Sequence, residues 1–175
     1  MSLKRLRKNC NNIKVKVNCM QLSGAFIQTI VNMARDASLS TIDHKNNPHI
    51  VPIVFAFDRH YYYIPPDNKR KTQTAEKLKR VRNIQHNPNV ALLIDEYNED
   101  WSKLVFVMIQ GKAYLIGNKE EKGHENINNY DNNESLLTAI HKLLYEKYPQ
   151  YKEVGIGQCC IKIQPQKIIY WKNDE

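Results

Sequence analysis

Short runs of β-branched and aromatic residues, set apart by polar breaks, recur along most of this sequence and restrict its fold more than any other feature. Such runs are typical of antiparallel strands joined by short turns. Pro52 stands inside one of them, and because proline lacks a backbone N–H, we expect a sheet edge or a bulge there. The predicted strands are residues 38–42, 49–57, 61–64, 90–94, 103–116, 157–164 and 167–171.

Three other segments repeat apolar residues at steps of three and four, which predicts amphipathic helices. They cover residues 22–34, 74–86 and 131–148, and the second has Thr74 as a candidate N-cap. Because the helices interrupt the strands rather than alternate with them, a doubly wound parallel sheet is disfavoured. The order predicts a mainly β fold, an antiparallel barrel with peripheral helices.

A chain of 175 residues is long enough for one domain with a single core. Its net charge of +8 is concentrated in two clusters, at residues 4–16 and 69–82. The first indicates a solvated basic tail over residues 1–18, ahead of one domain over residues 19–175. The N-terminus lacks the apolar core of a secretory signal, and no apolar run approaches the roughly 18 residues of a membrane span, so a cytoplasmic protein is expected.

The residue types that carry most enzyme chemistry show no catalytic spacing. The four cysteines, Cys10, Cys19, Cys159 and Cys160, lack the paired spacing of a zinc site, so we interpret them as free thiols. No two of the six histidines stand four apart, and neither a nucleophile elbow nor a phosphate-binding glycine loop is present. No metal and no catalytic side chain is therefore predicted. Such a chain can still be an enzyme when a bound cofactor supplies the chemistry.

The second basic cluster is the strongest candidate for holding a cofactor. Lys69 and Lys71 lie in the loop after the third predicted strand. Lys79, Arg80 and Arg82 lie on the helix that follows. Loop amides, a helix N-terminus and these cations could together bind a phosphate group. The alternative is an ordinary solvated helix face, because the apolar residues of the same helix direct the basic ones outward. Composition alone leaves both alternatives open.

Several segments together resemble the split-barrel flavin-binding family that includes pyridoxamine 5'-phosphate oxidase. They are Leu-Ser-Thr-Ile-Asp at 39–43, Pro-His-Ile-Val-Pro-Ile-Val-Phe at 48–55, Tyr-Tyr-Ile-Pro at 62–65, Lys-Arg-Val-Arg-Asn-Ile at 79–84 and Asn-Pro-Asn-Val-Ala-Leu-Leu at 87–93. The similarity is closest to the branch of coenzyme F420-dependent (deazaflavin) enzymes, which carry Asp-Trp-Ser-x-Leu, here at 100–104, and Lys-Tyr-Pro-Gln-Tyr, here at 147–151. The resemblance covers most of the chain.

The resemblance implies an antiparallel split β-barrel that binds FMN or coenzyme F420. It places the cofactor phosphate on Lys79 and Arg80, with Lys69 and Lys71 assisting. Trp101 would stack on the ring or anchor a dimer interface, and both alternatives stay open. The residues implied to line the ring are Pro52, Ile53, Val54 and Phe55, and those implied near the phosphate or the ribityl chain are Tyr63, Ile64 and Pro65.

One departure from the family bears on the substrate. In the vitamin oxidases the last strand continues past its tryptophan into an Arg-Leu-His segment, whereas here Trp171 is followed by Lys-Asn-Asp-Glu at 172–175. We therefore predict a cytoplasmic, homodimeric flavin or deazaflavin oxidoreductase that transfers a hydride to or from a small organic substrate. The alternative is a non-catalytic protein of the same fold that binds or senses flavin, deazaflavin or haem. Neither a membrane nor a nucleic acid is the expected partner, since no recognised nucleic-acid motif accompanies the basic clusters.

Overall fold

The computed structural model describes residues 24–65, 78–117, 130–131, 134–157 and 159–173. Its helices are α1 Ala25–Met33, α2 Lys79–His86, α3 Glu134–Lys147 and α4 Tyr151–Val154, with a 3-10 turn at Trp101–Lys103. The strands are β1 Ala37–Ile42, β2 Pro48–Ile53, β3 Ala56–Phe57, β4 Tyr62–Ile64, β5 Asn89–Glu96, β6 Val105–Gly117, β7 Tyr130–Asp131 and β8 Cys159–Lys172. No helix within these ranges is long and apolar enough to cross a bilayer.

The strands form one sheet in the order β2-β1-β5-β6-β8-β4-β3, with β7 beside β6. Every pairing among the described strands is antiparallel except that of β6 with β7. The two longest strands, β6 and β8, pair along their length and join the earlier and later parts of the chain in one curled sheet. This architecture confirms the predicted mainly β, antiparallel split barrel with few helices.

The edge position predicted for Pro52 is confirmed, because it lies on β2, the first strand in the order of the sheet. β3 is the last strand in that order, yet only Val54 and Phe55 separate β2 from β3 in the sequence. The three steps from Ile53 to Ala56 span at most about 11 Å, so the two edges of the sheet must approach each other and the sheet must curl. The single strand predicted over 49–57 is wrong at this point, because the barrel turns a corner there.

β6 and β8 are irregular next to Gly111. Gln110 pairs with Lys167 and Gly111 pairs with Pro165, so Gln166 is an extra residue in β8. A proline has no N–H to donate to a ladder, and a bulge is one of the few places where a strand accepts it. The apolar runs of the sequence predict two separate strands, one on either side of this proline. That prediction is wrong, because the bulge lets β8 continue through it.

The two later helices begin after their predicted first residues. α2 begins at Lys79, since Leu78 has an extended backbone, and Thr74 lies outside the described residues. α3 begins at Glu134 rather than at 131, because residues 130–131 pair with β6 as β7. Pairing with a distant strand is not visible in helical periodicity, which explains the second difference.

Buried side chains form two clusters. The larger fills the barrel with residues from the sheet and from α1 and α2. The smaller lies between α3 and the sheet, and Ile140 and Leu144 are its helical members. Tyr62 and Tyr63 belong to different clusters, because successive strand residues point to opposite faces.

Two buried tyrosines differ in what their hydroxyl groups contact. Tyr62 is 0% exposed, and its hydroxyl oxygen has no hydrogen-bond partner among the described residues. The Tyr148 hydroxyl oxygen accepts from the Phe55 N–H at 3.2 Å and shares its own proton between the carbonyl oxygens of Arg35 and Phe55, each 2.8 Å away. The first hydroxyl therefore costs stability, whereas the second contributes to it.

We expect Tyr62→Phe to raise the free energy of unfolding by about 1 kcal/mol and Tyr148→Phe to lower it by about 2 kcal/mol. Each change removes one phenol oxygen from a buried ring, so each variant controls for the other. Chemical denaturation of both variants measures the two differences. A change of the same sign in both would contradict this interpretation.

Candidate functional site

The first turn of α2 carries two adjacent basic residues at the start of the helix. Lys79 and Arg80 are its first two residues, Leu78 supplies no side-chain cap, and the turn contains no acidic residue. The N–H groups at such an end favour an anion, and adjacent cations add to that preference. Lys79 is exposed, Arg80 is half-buried, and Arg82 farther along the helix is exposed. The predicted phosphate-binding pair therefore has the chemistry of an anion site.

A carboxylate already faces this turn. Lys79 Nζ lies 3.6 Å from Oδ2 of Asp43, in the turn between β1 and β2. Hydrogen bonds from the Asn47 backbone, from the Asn47 side chain and from the Lys45 N–H, together with the charge of Lys79, lower the pKa of Asp43 to about 2. Asp43 is therefore a carboxylate at neutral pH, and an incoming phosphate would displace it from Lys79.

One buried polar contact attaches α2 to the sheet. Asn83 Nδ2 donates to Oγ1 of Thr41 at 3.0 Å, and both side chains are buried. Thr41 belongs to β1, so this bond fixes the rotation of α2 against that strand. The basic first turn is thereby held in a defined position beside the sheet.

The segment predicted to line the ring lies toward the opposite end of β1. Ile53 pairs with Ala37, whereas Pro48 pairs with Ile42, the last residue of the strand. The two pairs are five residue steps apart, which corresponds to about 17 Å of strand. The structure thus places residues 52–55 apart from the first turn of α2. A ligand that reaches both would have to extend along β1 and β2.

Within that segment, only part of the surface is open to a ligand. The side chains of Ile53 and Phe55 are buried, and both backbone groups of Phe55 are bonded to the Tyr148 hydroxyl. Pro52 is exposed and Val54 is half-buried. Contact with a ring would therefore come from Pro52 and Val54, whereas Ile53 and Phe55 are buried beneath the surface of this segment.

The remaining predicted residues are also mostly turned into the protein. The hydroxyl of Tyr63 donates to Oδ2 of Asp58 at 2.7 Å, so its polar atom is already bonded. The residues of this stretch that are buried are Tyr63, Ile64 and Pro65. The two predicted loop cations, Lys69 and Lys71, lie outside the described residues.

Trp101 lies on the surface between β5 and β6 and is 67% exposed. Asp100 caps its 3-10 turn, accepting from the Ser102 N–H at 3.2 Å and from the Ser102 hydroxyl at 2.7 Å. The Trp101 carbonyl accepts from Asn173 Nδ2 at 3.0 Å, which ties the turn to the residue after β8. A well-anchored, exposed indole is compatible with both predicted roles, ring stacking and interface anchor.

A row of apolar side chains on the outer face of the sheet was not predicted from the sequence. We define this outer row as Pro52, Leu93, Met108 and Ile169. Leu93 pairs with Met108 and Met108 pairs with Ile169, across β5, β6 and β8. Ser38 of β1 pairs with both Pro52 and Leu93 and so links β2 to the row. Pro52 is exposed and the other three members are half-buried, whereas the residues that flank Leu93 and Met108 along their strands are buried. The continuous apolar runs in β5 and β6 concealed which alternate residues face outward.

A second group of cations lies at the end of α3. Lys147 Nζ is 3.9 Å from the centroid of the Phe55 ring, and the guanidinium carbon of Arg35 is 4.7 Å from that of Tyr148. Burial, and then the charge of Arg35, lower the pKa of Lys147 to about 8. In the sequence, Lys147 stands out only as part of a family motif. The structure shows that it packs on the corner between β2 and β3.

The low pKa of Lys147 implies a pH dependence of stability. Between pH 8 and 10.5 the unfolded chain binds more protons at this lysine than the folded chain, so its contribution to stability rises with pH in that window. We expect Lys147→Met to be more stable than wild type at pH 7, and this advantage to shrink by pH 9.5. The measurement is the difference in unfolding free energy between the variant and wild type at each pH. Burial raises the pKa of Cys160 and of Tyr62, so their contributions to stability fall in alkali, but they do so equally in both proteins and cancel in the difference. A constant difference would contradict the prediction.

Comparisons with known proteins agree with this architecture. Residues 24–172 match the family model described as pyridoxamine 5'-phosphate oxidase. Among curated proteins, none matches the sequence significantly.

Several solved structures have a similar fold, and they are described as proteins of different kinds. A conserved hypothetical protein from Mycobacterium tuberculosis has a TM-score of 0.65 at 19% identity, with 92% of this chain and 91% of that chain covered. HutZ, the heme storage protein from Vibrio cholerae, has a TM-score of 0.58 at 14% identity, with 87% of this chain and 95% of that chain covered. General Stress Protein 26 from Bacillus anthracis has a TM-score of 0.53 at 21% identity, with 82% and 89% covered. At these identities the similarities establish the fold alone.

Proposed function

The chain belongs to the pyridoxamine 5'-phosphate oxidase family, and from this premise we propose that it is an oxidoreductase that binds FMN or coenzyme F420 and transfers a hydride to or from a small organic substrate. The observation that carries the proposal is the first turn of α2, where Lys79 and Arg80 stand together with no side-chain cap and no acidic residue within the turn itself, and Asp43 is the carboxylate that an incoming phosphate would displace from Lys79. This is the position at which the family resemblance implies the cofactor phosphate.

The donors of this turn fit the phosphate end of either cofactor. Two cations and the N–H groups of a helix start can give a phosphate charge-assisted hydrogen bonds. The bond between Asn83 and Thr41 holds the turn against β1, and such preorganisation reduces the entropy lost on binding. Pro52 and Val54 offer the surface on which a flat ring could lie farther along the same strands.

The bound cofactor would supply the hydride chemistry. In this proposal the protein's own residues bind and orient it. Lys79 and Arg80 hold the phosphate, and Pro52 and Val54 contact the ring. Tyr148 bonds both backbone groups of Phe55 and so keeps the ring-contacting segment in place.

We also propose that the protein is a homodimer in which the outer row, Pro52, Leu93, Met108 and Ile169, faces a second copy. Beside the row, the rings of Phe106 and Trp171 stack with centroids 6.3 Å apart. Methionine and aromatic residues are enriched at the cores of protein interfaces. Pro52 belongs both to the outer row and to the ring-contacting segment, so the second copy would close the cofactor groove.

Met108→Lys is expected to convert the dimer to a monomer, because it would place a charge in the middle of the buried interface. Met33→Lys is the matched control, since Met33 lies on α1 and is 73% exposed. Light scattering after size exclusion should give the 20.6 kDa chain mass for the first variant and twice that mass for the control. Dimers of both variants would exclude this interface.

The cofactor itself can be identified from the small molecule that copurifies with the protein. Flavin, deazaflavin and haem differ in absorbance and mass, so the two spectra distinguish them. Fold similarity to the heme storage protein HutZ supports a second candidate, a protein that binds one of these molecules without turnover. Tight binding with no hydride exchange would favour that candidate, and failure to bind any of the three would overturn both.

A further inference from the structure

A cavity of about 370 Å³ lies between α3 and the turn that joins β3 to β4. Four aliphatic side chains of α3 form its apolar wall: Leu136, Ala139, Ile140 and Leu143. This volume is in the range that proteins use for small organic ligands. None of the described residues that line it belongs to α2, β1 or β2, so it is separate from the proposed cofactor groove.

The polar end of the cavity is built around Asp58. Oδ1 of Asp58 accepts from the N–H groups of His60 and Tyr61 at 2.8 and 2.7 Å, and Oδ2 accepts from the Tyr63 hydroxyl at 2.7 Å. Three bonds hold the carboxylate in one orientation. Because a carboxylate oxygen has two lone pairs, Oδ2 can accept a further hydrogen bond from a ligand.

The turn that carries Asp58 has a strained backbone. Arg59 has a φ of 79°, in the left-handed region that residues other than glycine, asparagine and aspartate seldom adopt. Such conformations persist where surrounding bonds over-determine them, and they cluster at ligand sites. The bonds from His60 and Tyr61 to Asp58 provide that support here.

The charged groups around the cavity favour a cation. Among the residues that the structure describes, its lining contains two carboxylates, Asp58 and Glu146, against one ammonium, Lys142. This described lining is net negative although the whole chain carries a net charge of +8. A ligand with a positive end would be attracted to this cavity rather than to the basic surfaces elsewhere.

From the apolar wall and the oriented carboxylate, we infer that this cavity binds a small organic ammonium ion. Its hydrocarbon body packs on Leu136, Ala139 and Leu143, and its N–H group donates to Asp58. The inference concerns a second site and does not rest on the proposed redox function.

Phenethylamine, 2-phenylethanol and 3-phenylpropionate test the inference, because they share an aromatic body and differ in the charge of the polar end. Calorimetric or NMR titration of the full chain should show saturable binding of the amine, at least 10-fold weaker binding of the alcohol and none of the carboxylate. Asp58→Asn retains the oxygen that accepts from the turn but loses the charge, and should weaken amine binding at least 10-fold.

Ala139→Phe tests the cavity without altering the turn. Ala139 is exposed on α3, so a larger side chain can fill the cavity while the helix stays folded. Thr138→Phe is the control, because Thr138 lines a neighbouring cavity and not this one. Amine binding should be lost in the first variant and retained in the second. Equal binding of the three compounds, no saturation, or unchanged affinity in Ala139→Phe would overturn the inference.

Discussion

Gly111→Ala is expected to lower the free energy of unfolding by about 3 kcal/mol or more, an unusually large effect for one added methyl group. The new Cβ would overlap the backbone carbonyl of Gln164 and lie 3.2 Å from the Cα of Pro165. Both neighbours are backbone atoms of β8, so no side-chain rotation can relieve the overlap. The pairing of β6 with β8 is the longest in the sheet, and its bulge would have to open to accept the substitution.

Gly24→Ala is the matched control for this prediction. No atom of the described residues lies within 4 Å of a Cβ built at Gly24, so the same substitution there should change the free energy of unfolding by less than about 1 kcal/mol. Denaturant titration monitored by circular dichroism measures both variants. Similar losses at the two positions would show that the bulge is not as tightly packed as the structure indicates.

The double substitution of Lys79 and Arg80 by alanine is expected to weaken cofactor binding by about 2 to 4 kcal/mol, roughly 30-fold to 1000-fold in the dissociation constant. Each cation would otherwise make a charge-assisted bond to the phosphate. The fold should survive, because Lys79 is exposed and the contact between Asn83 and Thr41 is untouched. Calorimetric titration with FMN and with coenzyme F420 measures the loss for either cofactor.

Arg82→Ala controls for net charge in that experiment. Arg82 is exposed on the same helix but lies beyond its first two residues, so its removal should change affinity by less than about 3-fold. An unchanged dissociation constant in the double variant would refute the phosphate site. Binding of an amine at Asp58 would be unaffected by that result, so the two proposals can fail separately.

Much of the fold could be predicted from local patterns. The short β-branched run of β1 and the helical spacing in α2 were both recognised, because strand propensity and side-chain periodicity are properties of neighbouring residues. The basic first turn of α2 was recognised for the same reason, since Lys79 and Arg80 adjoin in the sequence. Burial was less predictable. Phe55 and Tyr63 were implied as contact residues, and the structure buries both.

Contacts between distant segments account for what the sequence analysis missed. The Tyr148 hydroxyl that secures Phe55 lies 93 residues away from it in the chain. The cavity at Asp58 needs a hairpin turn and the much later helix α3 to meet. Neither contact leaves a spacing that can be read along the sequence.

The sequence by itself determined the type and order of most strands and helices, the family and the basic turn that could hold a phosphate. Only the tertiary structure decided that β8 runs unbroken past Pro165, that Met108 and Ile169 face outward, and that Asp58 lines a cavity. Local propensity acts between residues a few positions apart. Which face of an element is covered depends on the partners that long-range pairing brings against it.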